Sequence, residues 1–123
     1  MASSKDKWSA VVAKLIQKTQ SKKIKWTPVS LRPADSSTDT IIPSAFTVEH
    51  EGKSLRLYRI ERPEIMFGTV SKGRIKKVVM EILDNSGKVL WTFPPMDSLA
   101  DLISAIEFQA AGIDDYLDSL LRD

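Results

Sequence analysis

The chain contains no cysteine. Disulfides, thiolate metal sites and cysteine nucleophiles are therefore excluded together. Histidine is almost absent too, since His50 stands alone. A catalytic histidine needs an orienting carboxylate and a nucleophile or water beside it, and no motif here supplies them. His50 shares a strand face with Phe46 and Val48 next to a turn, so a structural place at a strand end is expected. There is no Gly-x-Ser-x-Gly elbow, no His-Glu-x-x-His pair and no calcium-loop pattern. Long apolar runs are missing as well. The longest apolar cluster, Ile24 to Val29, is broken by Lys25 and Thr27, far short of the ~18 residues a membrane span needs. The segment Met1 to Lys7 is polar and no apolar run follows it, which predicts no signal peptide. The expected setting is a bacterial cytoplasm, with no membrane contact, no cofactor and no metal. Binding rather than catalysis is expected.

What is present describes one ordinary domain. A chain of 123 residues, 42% hydrophobic and 28% charged, can bury roughly two thirds of its unfolded surface without a disulfide or metal staple. The net charge of +2 hides an asymmetry. Residues 1–32 hold Lys5, Lys7, Lys14, Lys18, Lys22, Lys23, Lys25 and Arg32 against Asp6. Residues 97–123 hold Asp97, Asp101, Glu107, Asp114, Asp115, Asp118 and Asp123 against Arg122. Such a bipolar chain can bring its ends together or pair head to tail with a second copy.

Periodicity supplies the elements. Trp8, Val11, Val12, Leu15, Ile16 and Thr19 recur at helical spacing. Ile24-Lys25-Trp26 alternates like a short strand, and Pro28 confines it to a sheet edge. Residues 30–44 are rich in Pro, Asp, Ser and Thr and read as a mobile loop. Phe46, Val48, Leu55 and Leu57 flank the Glu51-Gly52 turn of a hairpin. Residues 64–73 read as a second mobile loop, in which Ile65-Met66-Phe67 is either a short strand or an apolar loop tip. Ile75 to Leu83 is apolar on both faces, as a central strand is. Asp84 to Gly87 turns it into a strand with Val89, Trp91 and Phe93 on one face. Two helices follow, with stripes Leu99, Leu102, Ile103, Ile106, Ala110 and Ile113, Tyr116, Leu117, Leu120, Leu121. Gly112 suits the residue after the first of them. The fold class is therefore α+β. An antiparallel β-meander of about five strands carries an N-terminal helix and two C-terminal helices on one face, in the order α-β-β-β-β-β-α-α. All three helical stripes are expected to be buried there.

Four constellations bear on function. Gly68 to Ile75 has the glycine spacing of a phosphate-binding loop. Arg74 stands where the loop needs Lys, Ile75 where it needs a hydroxyl, and a strand follows instead of a helix. The carboxylate pairs Asp97 with Asp101 and Asp114 with Asp118, beside Asp115, lie opposite apolar stripes and suit capping and solubility. A basic set, Lys22, Lys23, Lys25, Arg56, Lys72, Arg74, Lys76 and Lys77, with Tyr58 as a stacking ring, would serve a nucleic acid if it met on one surface. Trp26 and Trp91 are assigned to the core. Finally, Val79, Leu83 and Leu90 point away from the helix-covered face, Phe108 lies off its helix's stripe, and Ile65, Met66 and Phe67 sit in the second loop. Uncovered apolar surface of this kind marks a partner site. The function expected is a non-catalytic protein–protein interaction module, of immunity, antitoxin or adaptor type, bound to another protein or to a second copy of itself. Nucleic-acid binding through residues 72–77 is the alternative.

Overall fold

The computed structural model describes residues 4–33, 39–66 and 68–122, with residues 4, 5, 65, 66 and 69–72 as backbone only. The elements follow the expected order: α1 (Ser4–Gln20), β1 (Thr27–Pro28), β2 (Ile41–His50), β3 (Lys53–Met66), β4 (Thr69–Leu83), β5 (Val89–Thr92), α2 (Ser98–Ala110) and α3 (Ile113–Leu121). The strands form one sheet in the order β1-β2-β3-β4-β5, every neighbour antiparallel. Among the described residues no helix is long and apolar enough to cross a membrane.

Turn chemistry sets the registers. Glu51 and Gly52 both take positive φ, 51° and 79°, as a two-residue turn between right-twisted strands requires; His50 is left opposite Lys53. At the β4–β5 turn the Asp84 carboxylate accepts from the backbone N–H of Ser86 and Lys88 and from the Ser86 hydroxyl, at 2.9, 3.0 and 2.7 Å. These bonds, that of the Ser86 side chain first, hold the Asp84 carboxyl below the usual range.

With these registers Phe46, Leu57 and Met80 line up across three strands. They meet Val12 of α1 and Leu99, Leu102, Ile103 and Ile106 of α2 in a single core. Trp8 meets the buried Phe93 edge-on, with ring centroids 4.4 Å apart. Trp26 is buried as expected, and its indole N–H donates to Thr19 Oγ1 at 3.1 Å while the Thr19 hydroxyl donates to the Leu15 carbonyl at 2.8 Å. This explains a threonine on the apolar stripe of α1. The helix ends on Lys22, which adopts φ 62°; the N–H groups of Lys23 and Lys22 reach back to the carbonyls of Lys18 and Thr19 at 2.9 and 3.1 Å, a Schellman closure with lysine in the glycine position. Gln109 then donates to the Thr19 and Ile24 carbonyls and ties α2 to that end of α1.

Several expectations are revised. The first strand is Thr27–Pro28 rather than Ile24–Trp26, because Trp26 is drawn under α1 by its bond to Thr19. Pro28 does stand in an edge strand. Of the loop expected over 30–44, residues 41–44 are strand and 34–38 lie outside the described residues. The loop expected over 64–73 is a hairpin: Ile65 pairs with Val70 and Met66 with Thr69, past an irregularity at Pro63. Strand-favouring residues on both sides of Phe67-Gly68 outweigh the glycines, and the proline falls at the bulge, where its missing N–H costs no ladder bond. Pairing of β2 with β3 stops at Ile41 opposite Glu61, so among the described residues 62–66 and 69–75 continue as an arm of β3 paired with β4.

Candidate protein interface

The C-terminal corner of the chain carries the largest departure from expectation. Gly112 adopts φ 65°, which ends α2, and its carbonyl accepts from Tyr116 N–H at 3.0 Å to start α3. One residue in the left-handed region thus turns the chain sharply, and glycine is the residue that tolerates it. After so tight a corner α3 packs on the end of α2 and has no extensive packing on the sheet. It has no buried residue. Tyr116, Leu117, Leu120 and Leu121 are 61, 46, 58 and 82% exposed, although they share one helical face. Asp115 and Asp118 lie on the opposite face of the helix, and Asp114, at the edge of the stripe, meets Lys22 at 3.5 Å. Phe108, 46% exposed, adjoins the first turn of α3 in a cleft of about 300 Å³ that Thr19, Gln109 and Gly112 also line.

The second sheet face is less apolar than its sequence suggests. Leu83 is buried, so its expected exposure is corrected; a register shift between Ile82 and Leu83 sets it opposite Val89. Val79 is half-buried beside Tyr58. At the centre of this face Arg56 lies opposite Glu81 and donates to Glu81 Oε1 from Nε at 2.9 Å and from Nη2 at 2.7 Å. The guanidinium also stands 6.0 Å from the Tyr58 ring centre. Burial, and then the negative Glu81 carboxylate, push the Tyr58 hydroxyl pKa up. Polar side chains thus occupy the middle of the face that was expected to be greasy.

The remaining interface candidates are dispersed. Leu90 is exposed on edge strand β5, together with Trp91 at 61%. The core assignment of Trp91 is therefore wrong; an edge strand of four residues extends beyond the cover of the helices. Ile65 and Met66 are in the arm, and Phe67 lies outside the described residues. Only Phe108 belongs to the α3 surface. Tyr116, Leu117, Leu120 and Leu121 were missed because a stripe alone does not say what covers it. The available signal was the two-residue Ala111-Gly112 connection, which leaves little chain with which to lay a third helix on the sheet.

The basic residues do not form one surface either. Lys22, Lys23 and Lys25 are exposed just after α1. Arg56 and Tyr58 are engaged on the second sheet face. Arg74 donates to the Asp39 and Glu61 carbonyls at 2.7 and 3.4 Å, and Glu61 draws both Arg74 and Lys76, at 3.9 and 3.8 Å. Lys77 is exposed opposite Ile60; Lys72 is described as backbone only. The segment 68–75, with its phosphate-loop spacing, is strand from Thr69 onward. His50 is exposed at the β2–β3 corner between Glu49 and Glu51, on the rim of a groove beside α1. Among the described residues no group of three or more His, Asp or Glu side chains is arranged to hold a metal.

Arg59 and Glu107 join the layers. Arg59 Nη2 donates to Glu107 Oε1 at 2.7 Å and Nε to Oε2 at 3.0 Å, while Ser44 donates to Oε2 at 3.1 Å. The bond from Arg59 is the main cause of a lowered Glu107 pKa and a raised Arg59 pKa. This clamp fixes α2, and through it the position of Phe108 and α3.

Comparison with protein-family models, with curated proteins and with solved structures found no match for the chain.

Proposed function

We propose that the chain is a protein-binding module whose working surface is the apolar face of α3 together with Phe108. The observation that carries this reading is an amphipathic helix with four residues of its stripe, Tyr116, Leu117, Leu120 and Leu121, exposed and the fifth, Ile113, only half-buried. Immunity-type proteins, antitoxins and adaptors work by this kind of burial rather than by bond chemistry.

Energetics define the partner. Completing the burial of Phe108, Tyr116, Leu117, Leu120 and Leu121 is worth on the order of 5–8 kcal/mol. Association itself costs about 4–15 kcal/mol. A flat partner therefore gives weak binding at most, and the partner needs an apolar groove that receives the helix.

A photo-crosslinking side chain placed at Leu120, and at Ser86 in the β4–β5 turn as a control, tests the reading in cells. A discrete protein adduct is expected at 120 and lost when Leu117→Ser is added. No adduct at 120, or the same adducts at both positions, would overturn the proposal.

A further inference from the structure

We propose that the groove beside α1 is a second binding site, independent of α3, that takes a small amphipathic anion: an alkyl chain ending in a single carboxylate or phosphate. Register builds its floor. Val48, Leu55 and Ile82 lie opposite one another across β2, β3 and β4. They stand one step nearer the β2–β3 turn than the buried row Phe46, Leu57 and Met80. The floor row packs on the core yet is only half-buried. Trp8, Val11 and Leu15, on one flank of α1, form the wall above it. The groove holds about 420 Å³, within the roughly 300–1,000 Å³ of small-molecule sites. A linear apolar row beneath a helical wall suits an extended hydrocarbon chain. No residue of α3 lines the groove.

Charge sets the head group. Lys14 and Lys18 lie one helical turn apart on the flank of α1 that Val11 and Leu15 share, and both border the groove. Lys53 borders it from the sheet, opposite His50 in register. Lys53 and His50 are in phase with Leu55 and Val48, so they stand on the groove side of their strands. Glu49 and Glu51 also border the mouth. Alternation turns Glu49 to the other sheet face, and Glu51 sits in the turn at φ 51°. Among the described residues no carboxylate pairs with Lys14, Lys18 or Lys53. A lysine lays its methylene stem along apolar surface and keeps its ammonium at the water's edge. The groove is therefore apolar in its depth and cationic at its mouth. An anionic amphiphile matches both zones, and a cationic one meets like charge. The two glutamates beyond the lysines limit the anion to one head group, because a polyanion would run into them.

Isothermal titration calorimetry of the full chain with dodecanoate, kept below its micelle concentration, reads the site. One dodecanoate per chain is expected, with dodecyltrimethylammonium bound roughly tenfold more weakly or not at all. Lys14→Gln with Lys18→Gln should weaken dodecanoate binding roughly tenfold while the melting midpoint of the unliganded chain stays in place. Val11→Glu, at a position 38% exposed, should abolish binding by setting a carboxylate on the wall. Dodecyl phosphate in place of dodecanoate distinguishes the two head groups, and saturable binding of either anion supports the site. Leu120→Asp should leave the affinity unchanged, so that a failure here and a failure of the role proposed for α3 are told apart. Equal affinity for anion and cation overturns the inference, as does binding that survives the lysine replacements or is lost with Leu120→Asp instead. So does an absence of binding by both anions, including one in which a polyglutamate peptide binds in their place.

Discussion

Replacing Arg56 by Met isolates the interaction that keeps the second sheet face polar. Glu81 is 9% exposed, and Arg56 binds one of its oxygens twice, at 2.7 and 2.9 Å. The side chains are 21 and 12% exposed, between a surface pair and a fully buried one. Removing one partner of a fully buried pair costs about 3–5 kcal/mol, and a surface pair is worth about 0–1. The intermediate burial places Arg56→Met at about 2–3 kcal/mol, because the Glu81 carboxylate stays behind with its main donor gone. Replacing both residues, Arg56→Met with Glu81→Leu, leaves no orphan charge and should cost less than ~1 kcal/mol. For a chain of this length about 1 kcal/mol moves the midpoint by roughly 4 °C, so the single variant should melt about 10 °C low and the double variant close to the parent. Urea unfolding followed by tryptophan fluorescence gives the free energies independently. A single variant within 0.5 kcal/mol of the parent, or a double variant as damaged as the single, would refute the account of this face.

Three further outcomes separate the roles assigned to other residues. Leu102→Ala, at a position with no exposure, should cost about 2–5 kcal/mol; Leu120→Ala, measured at a concentration where the chain is monomeric, should stay within about 0.5 kcal/mol by urea titration. Glu107→Gln should cost about 1 kcal/mol at neutral pH, a figure reduced for the partial solvent exposure of the Arg59 pair. The folded Glu107 pKa is lowered, so its contribution is complete above the ordinary carboxylate range and fades as pH falls through the folded value; the gap between parent and variant midpoints should narrow below about pH 5. Lys22→Gly should raise stability by up to about 1 kcal/mol, since lysine holds a left-handed φ there, and a lowered midpoint would contradict the helix closure described for α1.

The element order, the hairpin at Glu51-Gly52 and the inward stripe of α2 were legible because each rests on local chemistry, a period or a turn pair; the capping expected of Asp97 is not seen, since its side chain makes no cap bond. The β3–β4 hairpin was obscured by Pro63, Gly68 and Gly73, which read as loop although Ile65, Val70 and Ile75 between them favour strand. The errors over Leu83, Trp91 and α3 have another origin. Alternation assigns a residue to a face, but whether a neighbour covers that face is a tertiary fact. Leu83 lies at a register shift, Trp91 on an edge strand beyond the helices, and α3 past a two-residue corner. The Arg56–Glu81 pair was hidden for the same reason. Its partners are 25 positions apart, and only the register of β3 against β4 sets them opposite each other.

β5 pairs with β4 only from Glu81 onward, so among the described residues no strand pairs with residues 76–79 of β4 on that side. An unpaired row of peptide groups is a template on which a stray chain can continue the sheet into fibrils. Lys76 and Lys77 stand on that margin. Any second strand added there in register would have to stack like charges 4.7–4.9 Å apart. Two adjacent lysines on a sheet margin disfavour the addition of a second strand there whether or not they hold a ligand. Neutralising them should shorten the lag time of aggregation before it affects anything the protein binds.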